Sequence, residues 1–193
     1  MSTKLTNNQY PGHLLVANPS NPLDELSKGV VLLVSHTASL AIGIQINAMM
    51  THMTLAAVSD NIGLDITDPR SRLDVPLHYG GMHGAHRVQV IHTPDWKGLT
   101  TVEINKDLCI TNDISILAAL SVGDGPSQFR PCAGFVTWED NGLDHQLDNR
   151  RDNETHRWEI APATADVTFD YNEDEQWRHC LYRAAHFTTA QWF

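Results

Sequence analysis

The sequence predicts one α+β domain, and three observations carry that expectation. Short runs of β-branched and Leu residues lie between Pro, Asn and Gly, as strands do. A few stretches carry apolar residues three and four apart, the helical spacing. The two kinds follow one another irregularly, whereas a doubly wound sheet would alternate them. A chain of 193 residues can bury about 70% of its unfolded surface in one core. Its 41% hydrophobic and 19% charged residues are the balance of a folded protein.

Residues 1–11 read as a flexible arm, 12–185 as the domain and 186–193, "HFTTAQWF", as an aromatic tail. "HLLVA" (13–17) and "GVVLLVS" (29–35) are strands, the second apolar enough to be buried on both faces. "AIGIQIN" (41–47) is a third, with Gly43 permitting close backbone approach. Thr54 caps a short helix with Leu55, Val58 and Ile62 on one face and Gly63 at its stop. Pro69 to Ser71 is loop, "PLHYGG" and "RVQVIHT" form a strand pair, and "DLCIT" (107–111) is a short strand. Thr111 or Asn112 caps a helix that turns Ile114, Leu117 and Ala118 inward and ends at Gly123. "RPCAGFVTW" (130–138) is a strand, followed by a polar helix or turn through Leu143 and Leu147. The segments "HRWEIAP" and "DVTFD" come next, then a helix from Asp174 to Ala185 with Trp177, Leu181 and Ala184 on one stripe.

Charge narrows the partners. Thirteen Lys+Arg against 23 Asp+Glu leave a net charge of -10, which opposes approach to nucleic acid or an anionic membrane. The best basic patch, Arg150 and Arg151, sits among Asp148, Asp152 and Glu154. Cys109, Cys132 and Cys180 are odd in number with no C-x-x-C spacing, so neither a disulfide framework nor a zinc knuckle is expected. With a polar N-terminus and no long apolar run, the expected place is the cytoplasm.

The segment "LHYGGMHGAHRVQVIHT" (77–93) concentrates His78, His83, His86 and His92 around Gly80-Gly81. Zinc sites add Cys or carboxylate ligands at set spacing, and none appears, so these are read as surface or structural histidines and no metal or cofactor is expected. Neither phosphate-binding glycine pattern is present, which leaves Gly80-Gly81 as a tight turn or bulge. Ser35 and His36 are neighbours and would point to opposite faces of a strand, wrong for a Ser–His pair. Cys109 or Cys132 with His92 remains an open pairing. "WEDNGLDHQLD" (138–148) reads as a solvated acidic face.

Taken in order, these blocks resemble the AlgH/YqgE family. "GHLLVANPSNPLDELSKGVVLLVSHTASLAIGIQIN" is similar to the family's opening, with Gly12, Leu14, Leu15, Ala17, Pro19, Val30, Val31, Leu33, His36, Ala41, Gly43, Ile46 and Asn47 in register. Gly80, Gly81, Val90, Ile91, His92 and Thr93 fit its G-G-P-V…F-V-L-H-S block. "ITNDISILAAL", "GFVTWEDNGLDHQL" and "RWEIAPATADVTFDYNEDEQWRHCL" resemble its later blocks, so the likeness spans residues 12 to 184. The chain departs at Ala48-Met49 in place of Arg-Pro, at Met82-His83 in place of Pro-Val, at Ser35 in place of Glu, and at Asp144-His145-Gln146 within G-Q-L-E-x-E. Framework positions survive better than polar ones, the pattern of a divergent copy such as a mobile or viral genome would carry.

The resemblance implies an α+β domain with a coiled, bifurcated mixed sheet flanked by short helices, in a cytoplasmic family one of whose members is named as a regulator of alginate synthesis. It brings no established reaction or cofactor. It implies a surface groove at His36, Asn47, Gly80, Gly81, His92, Trp138 and Asp144. Three readings are open: a non-enzymatic regulatory domain binding a small molecule or protein there; a hydrolase with a His base, Asp144 or a metal; or an assembly protein that forms oligomers through Trp192 and Phe193.

Overall fold

The computed structural model describes residues 10–19, 26–147 and 157–190. The N-terminal apolar runs become strands covered on both faces: β1 (His13–Ala17) pairs with β2 (Val30–His36), and β2 with β3 (Leu40–Gln45), all antiparallel. Leu14, Val16, Val30 and Leu32 enter one core, while Leu15, Ala17, Val31 and Leu33 enter another on the opposite face. β4 (Met49–Thr54), α1 (Leu55–Asn61), β5 (Pro76–Tyr79) and β6 (His83–His92) are next along the chain. Then come β7 (Val102–Glu103), β8 (Cys109–Thr111), α2 (Ile114–Ser121), β9 (Phe129–Glu139) and α3 (Gly142–Leu147). β10 (Trp158–Pro162), α4 (Ala165–Phe169) and α5 (Glu173–Ala190) complete the chain. The strand order is β10-β1-β2-β3-β9-β6-β8-β7, with β5 joining β4 to β9 off this path.

β9 is where the sheet divides. Along one edge it pairs with β6; along the other its C-terminal part pairs with β3 and its residues 132–133 pair in parallel with β5. Gly134 marks the division with φ of +79°, and a Cβ there would stand 2.3 Å from the Gly81 carbonyl oxygen. A Cβ on Gly80 would in turn stand 2.2 Å from the Gly134 carbonyl oxygen. Two backbones cross in contact at this point, which only glycine permits.

Several expectations change with the fold. "PLHYGG" and "RVQVIHT" do not pair with each other: Gly80-Gly81 crosses β9, and β5 and β6 each pair with that strand instead. The cap of α2 is Asp113, whose carboxylate accepts from the Ser115 amide, rather than Thr111 or Asn112. That later start rotates the buried stripe onto Ile116, Leu117, Leu120 and Ser121 and leaves Ile114 and Ala118 exposed. "DVTF" lies in the short helix α4. α5 runs to Ala190, through the start of the expected tail, with acidic Glu173, Asp174 and Glu175 in its first turn, where the helix dipole favours them. Its buried stripe is Trp177, Cys180, Leu181 and Ala184.

The Thr54 cap and the Gly63 stop agree with the sequence reading, whereas the space at Gly43 is taken by the Val31 and Trp138 side chains rather than by a second backbone. Trp192, Phe193, most of the N-terminal arm and the Arg150-Arg151 patch lie outside the described residues.

Candidate functional site

His36 owes its position to a register slip. β2 and β3 pair Leu33 with Gly43, then Ser35 with Ile42, so one extra residue reverses the facing of the remainder of β2. His36 thereby stands opposite Ala41, beside Trp138, on the face that unbroken alternation would have given to Ser35. Ser35 faces the other way.

The opposite wall is the turn from β9 into α3. Asp140 and Asn141 both adopt left-handed backbone, at φ of +47° and +60°, residue types that tolerate it. Their amides donate to the Ser39 and Ala38 carbonyls at 3.2 and 3.0 Å, which fastens this turn to the β2–β3 hairpin. Gln146 of α3 braces the interior: its Oε1 accepts from the Trp138 indole at 3.0 Å and from the Trp158 indole at 2.8 Å. Asp144 is thus held above His36.

Asp144 Oδ1 lies 3.5 Å from His36 Nε2, with the Asp144 side chain 34% exposed and His36 1% exposed. Among the described residues neither His36 ring nitrogen has a hydrogen-bond partner. The Tyr10 ring packs on His36 at 5.4 Å between centroids, and burial, then the Asp144 charge, push the Tyr10 hydroxyl pKa above its usual range. A neutral imidazole offers one donor and one acceptor and the carboxylate adds acceptors, so the corner presents both kinds of group side by side.

The structure brings together His36, Trp138 and Asp144 and places the other four expected site residues elsewhere. Asn47 accepts from the Val30 amide and donates to the Lys28 and Glu173 carbonyls, a latch between β2 and α5. His92 is buried: Nδ1 donates to the Thr93 carbonyl at 2.8 Å, Nε2 accepts from the Thr111 hydroxyl at 2.9 Å, and burial lowers its pKa. Gly80 and Gly81 spend their open space on β9. Cys109 is the cross-strand neighbour of His92, but it is buried and its thiol pKa is raised, as a structural thiol's is.

Sequence reasoning missed Tyr10, which it assigned to the arm, and Gln146, one side chain serving two distant tryptophans. It also passed over Arg130, although an arginine beside "PCAGFV" signals a buried cation in a strand. Arg130 Nη1 donates to Gln176 Oε1 at 2.8 Å and to the Ile46 carbonyl; Nη2 donates to the Tyr171 carbonyl at 2.8 Å. His78 lies close by, its pKa lowered to about 4 by burial and then by the Arg130 charge. Among the described residues no three His, Cys, Asp or Glu side chains gather as a metal would require.

The AlgH-like family model matches residues 14–186. The chain belongs to the AlgH-like family. A UPF0301 protein of Methylococcus capsulatus is 29% identical over 173 residues, 90% of each chain. One from Sphingopyxis alaskensis is 28% identical, over 91% of this chain and 89% of the relative. The solution structure of the AlgH protein from Pseudomonas aeruginosa superposes with a TM-score of 0.74 at 23% identity, over 95% of this chain and 92% of that one. A crystal structure from Corynebacterium diphtheriae gives 0.67 at 19%, over 92% and 88%. These likenesses fix the fold of this AlgH-like domain as α+β. No helix among its described residues is long and apolar enough to cross a membrane.

Proposed function

We propose that this AlgH-like chain is a non-enzymatic cytoplasmic binding domain, regulatory in role, that takes a small polar molecule or a polar loop of a protein partner at the Tyr10–His36–Asp144 corner. One observation carries the reading: a buried histidine whose ring nitrogens make no hydrogen bond to the described residues, with Nε2 3.5 Å below a carboxylate that reaches solvent. A buried polar group without a partner costs about 1–3 kcal/mol, so a ligand that satisfies it recovers that free energy on binding. Asp144 selects for a donor group, an N–H or O–H.

The hydrolase alternative, a His base with Asp144 or a metal, would have to activate water, because the side-chain nucleophiles are turned away or buried. Ser35 faces away from His36, and the thiols of Cys132 and Cys180 are buried with pKa values pushed up to about 12. Native mass spectrometry of the untagged protein from its own source tests the reading, alongside His36→Gln and Asp144→Asn. The expected result is a bound molecule or partner chain retained by the wild type and lost from both variants, with Tm little changed. A bare chain, or a bound species that both variants keep, overturns it.

A further inference from the structure

On the face built by α1, α2 and β6, a mostly aliphatic hole opens beside an aliphatic knob. The hole is a cavity of about 190 Å³ lined mostly by aliphatic side chains, Val58, Val88, Val90 and Leu117 with Ile62 and Ile114, and for the rest by His86, Thr111, Asn112 and Asp113. Those two isoleucines are 49% and 55% exposed. The knob is Leu99, fully exposed at the tip of the loop before β7. The loop is braced, since the Gly98 amide donates to Thr101 Oγ1 at 2.8 Å. It is also fastened to the rim of the hole: the Thr100 amide and hydroxyl both donate to Asp113 Oδ2, and Asp113 caps α2 and lines the cavity.

Size decides what the hole takes. Drug-sized ligands occupy pockets of about 300–1,000 Å³, whereas a cavity of roughly 150 Å³ accepts a benzene ring. A hole of about 190 Å³ with no Lys or Arg in its wall fits one branched aliphatic side chain. Charge decides where a second copy can approach. A chain of net charge -10 repels itself over most of its surface, but here Lys97 neutralises Glu103 beside the knob and the Asp113 carboxylate is already engaged by Thr100 and Ser115. A hole and a knob side by side on one face satisfy the reciprocity of a two-fold axis, each copy giving what the other receives.

We propose that this face joins two copies of the chain, with Leu99 of each seated in the cavity of the other. The patch is small, so the dimer is weak and exchanges rapidly. Sedimentation of the full chain from about ten micromolar to about one millimolar is the test. The expected result is a reversible dimer whose dissociation constant rises about ten- to hundredfold in Leu99→Asp. That variant folds normally because the side chain touches solvent alone in the monomer. In a mixture of differently labelled copies, filtered NMR contacts should join Leu99 methyls to those of Val88 and Leu117. A monomer at every concentration overturns the proposal, as does a dimer indifferent to Leu99→Asp but lost when residues 191–193 are removed. A monomer whose cavity methyls shift with added benzene also overturns it and makes the cavity a small-molecule site.

Discussion

His36 and His78 are both buried on strands, and among the described residues neither ring has a hydrogen-bond partner on either nitrogen. Their neighbours carry opposite charge. His36 lies under Asp144, a carboxylate that reaches solvent, while His78 lies beside the buried guanidinium of Arg130. The Pro131 carbonyl opposes the lowering of the His78 pKa without reaching hydrogen-bond geometry. Among the described residues Arg130 donates to neutral acceptors, Ile46, Tyr171 and Gln176 among them. The same side chain therefore serves two ends. Below an open carboxylate it is, on our proposal, the group that takes a ligand; against a sealed cation it is kept neutral as packing in the hub that ties β9 to α4 and α5.

The largest effect should come from the hub. Arg130→Ala strands at least three acceptors under α5 and should cost about 3–5 kcal/mol. For a chain of this length that lowers Tm by on the order of 10 °C. Urea and thermal unfolding would read it, and a loss below about 1 kcal/mol would mean that the hub and the corner do not differ in kind.

Acid should separate the two histidines next. The folded-state pKa of His78 is about 4 against an ordinary value of 6.5, so the folded state resists the proton that the unfolded chain takes up. Its stabilising contribution is complete above pH 6.5 and is lost as pH falls toward 4, on the order of 3 kcal/mol in all. Comparing wild type with His78→Gln by urea unfolding at several pH values isolates this slope from that of the carboxylates. Parallel curves would show that His78 is not held neutral.

Within the corner, Gln146→Leu should cost about 2 kcal/mol, because two buried indole donors lose their shared acceptor. Trp138 and Trp158 fluorescence would shift with it. An unchanged unfolding midpoint would mean that water replaces the amide and that α3 is not braced through it.

The elements of the fold were legible in sequence because most local signals agree with the tertiary result. The doubly buried runs of β1 and β2 and the Thr54 cap are each decided within a few residues. What sequence misassigned is decided by distant partners. The β5–β6 pairing fails because Gly134, more than fifty residues on, sends both strands to β9. The expected groove breaks apart for the same reason: Asn47 and His92 are polar because they bond carbonyls and a hydroxyl inside the fold. His36, Trp138 and Asp144 converge through a one-residue slip in β2 that no periodicity announces. Tyr10 looked like arm because it precedes β1 and its ring contact, His36, is distant in sequence.

The smallest effect is the sharpest test of the corner. The Asp144 side chain is partly exposed, so its interaction with His36 is screened, and Asp144→Asn should change stability by less than about 1 kcal/mol. Its charge nevertheless raises the Tyr10 pKa, second to burial. Removing the charge should lower that pKa part of the way toward 10 and leave the share due to burial in place. Ultraviolet phenolate titration, with Tyr10→Phe subtracted to isolate one of the four tyrosines, would detect the change. Full return to 10 would mean that burial contributes nothing there and that the corner is open. No movement would mean that the Asp144 charge is not felt at Tyr10, and the contrast between a histidine under a carboxylate and one beside a guanidinium would lose its first half.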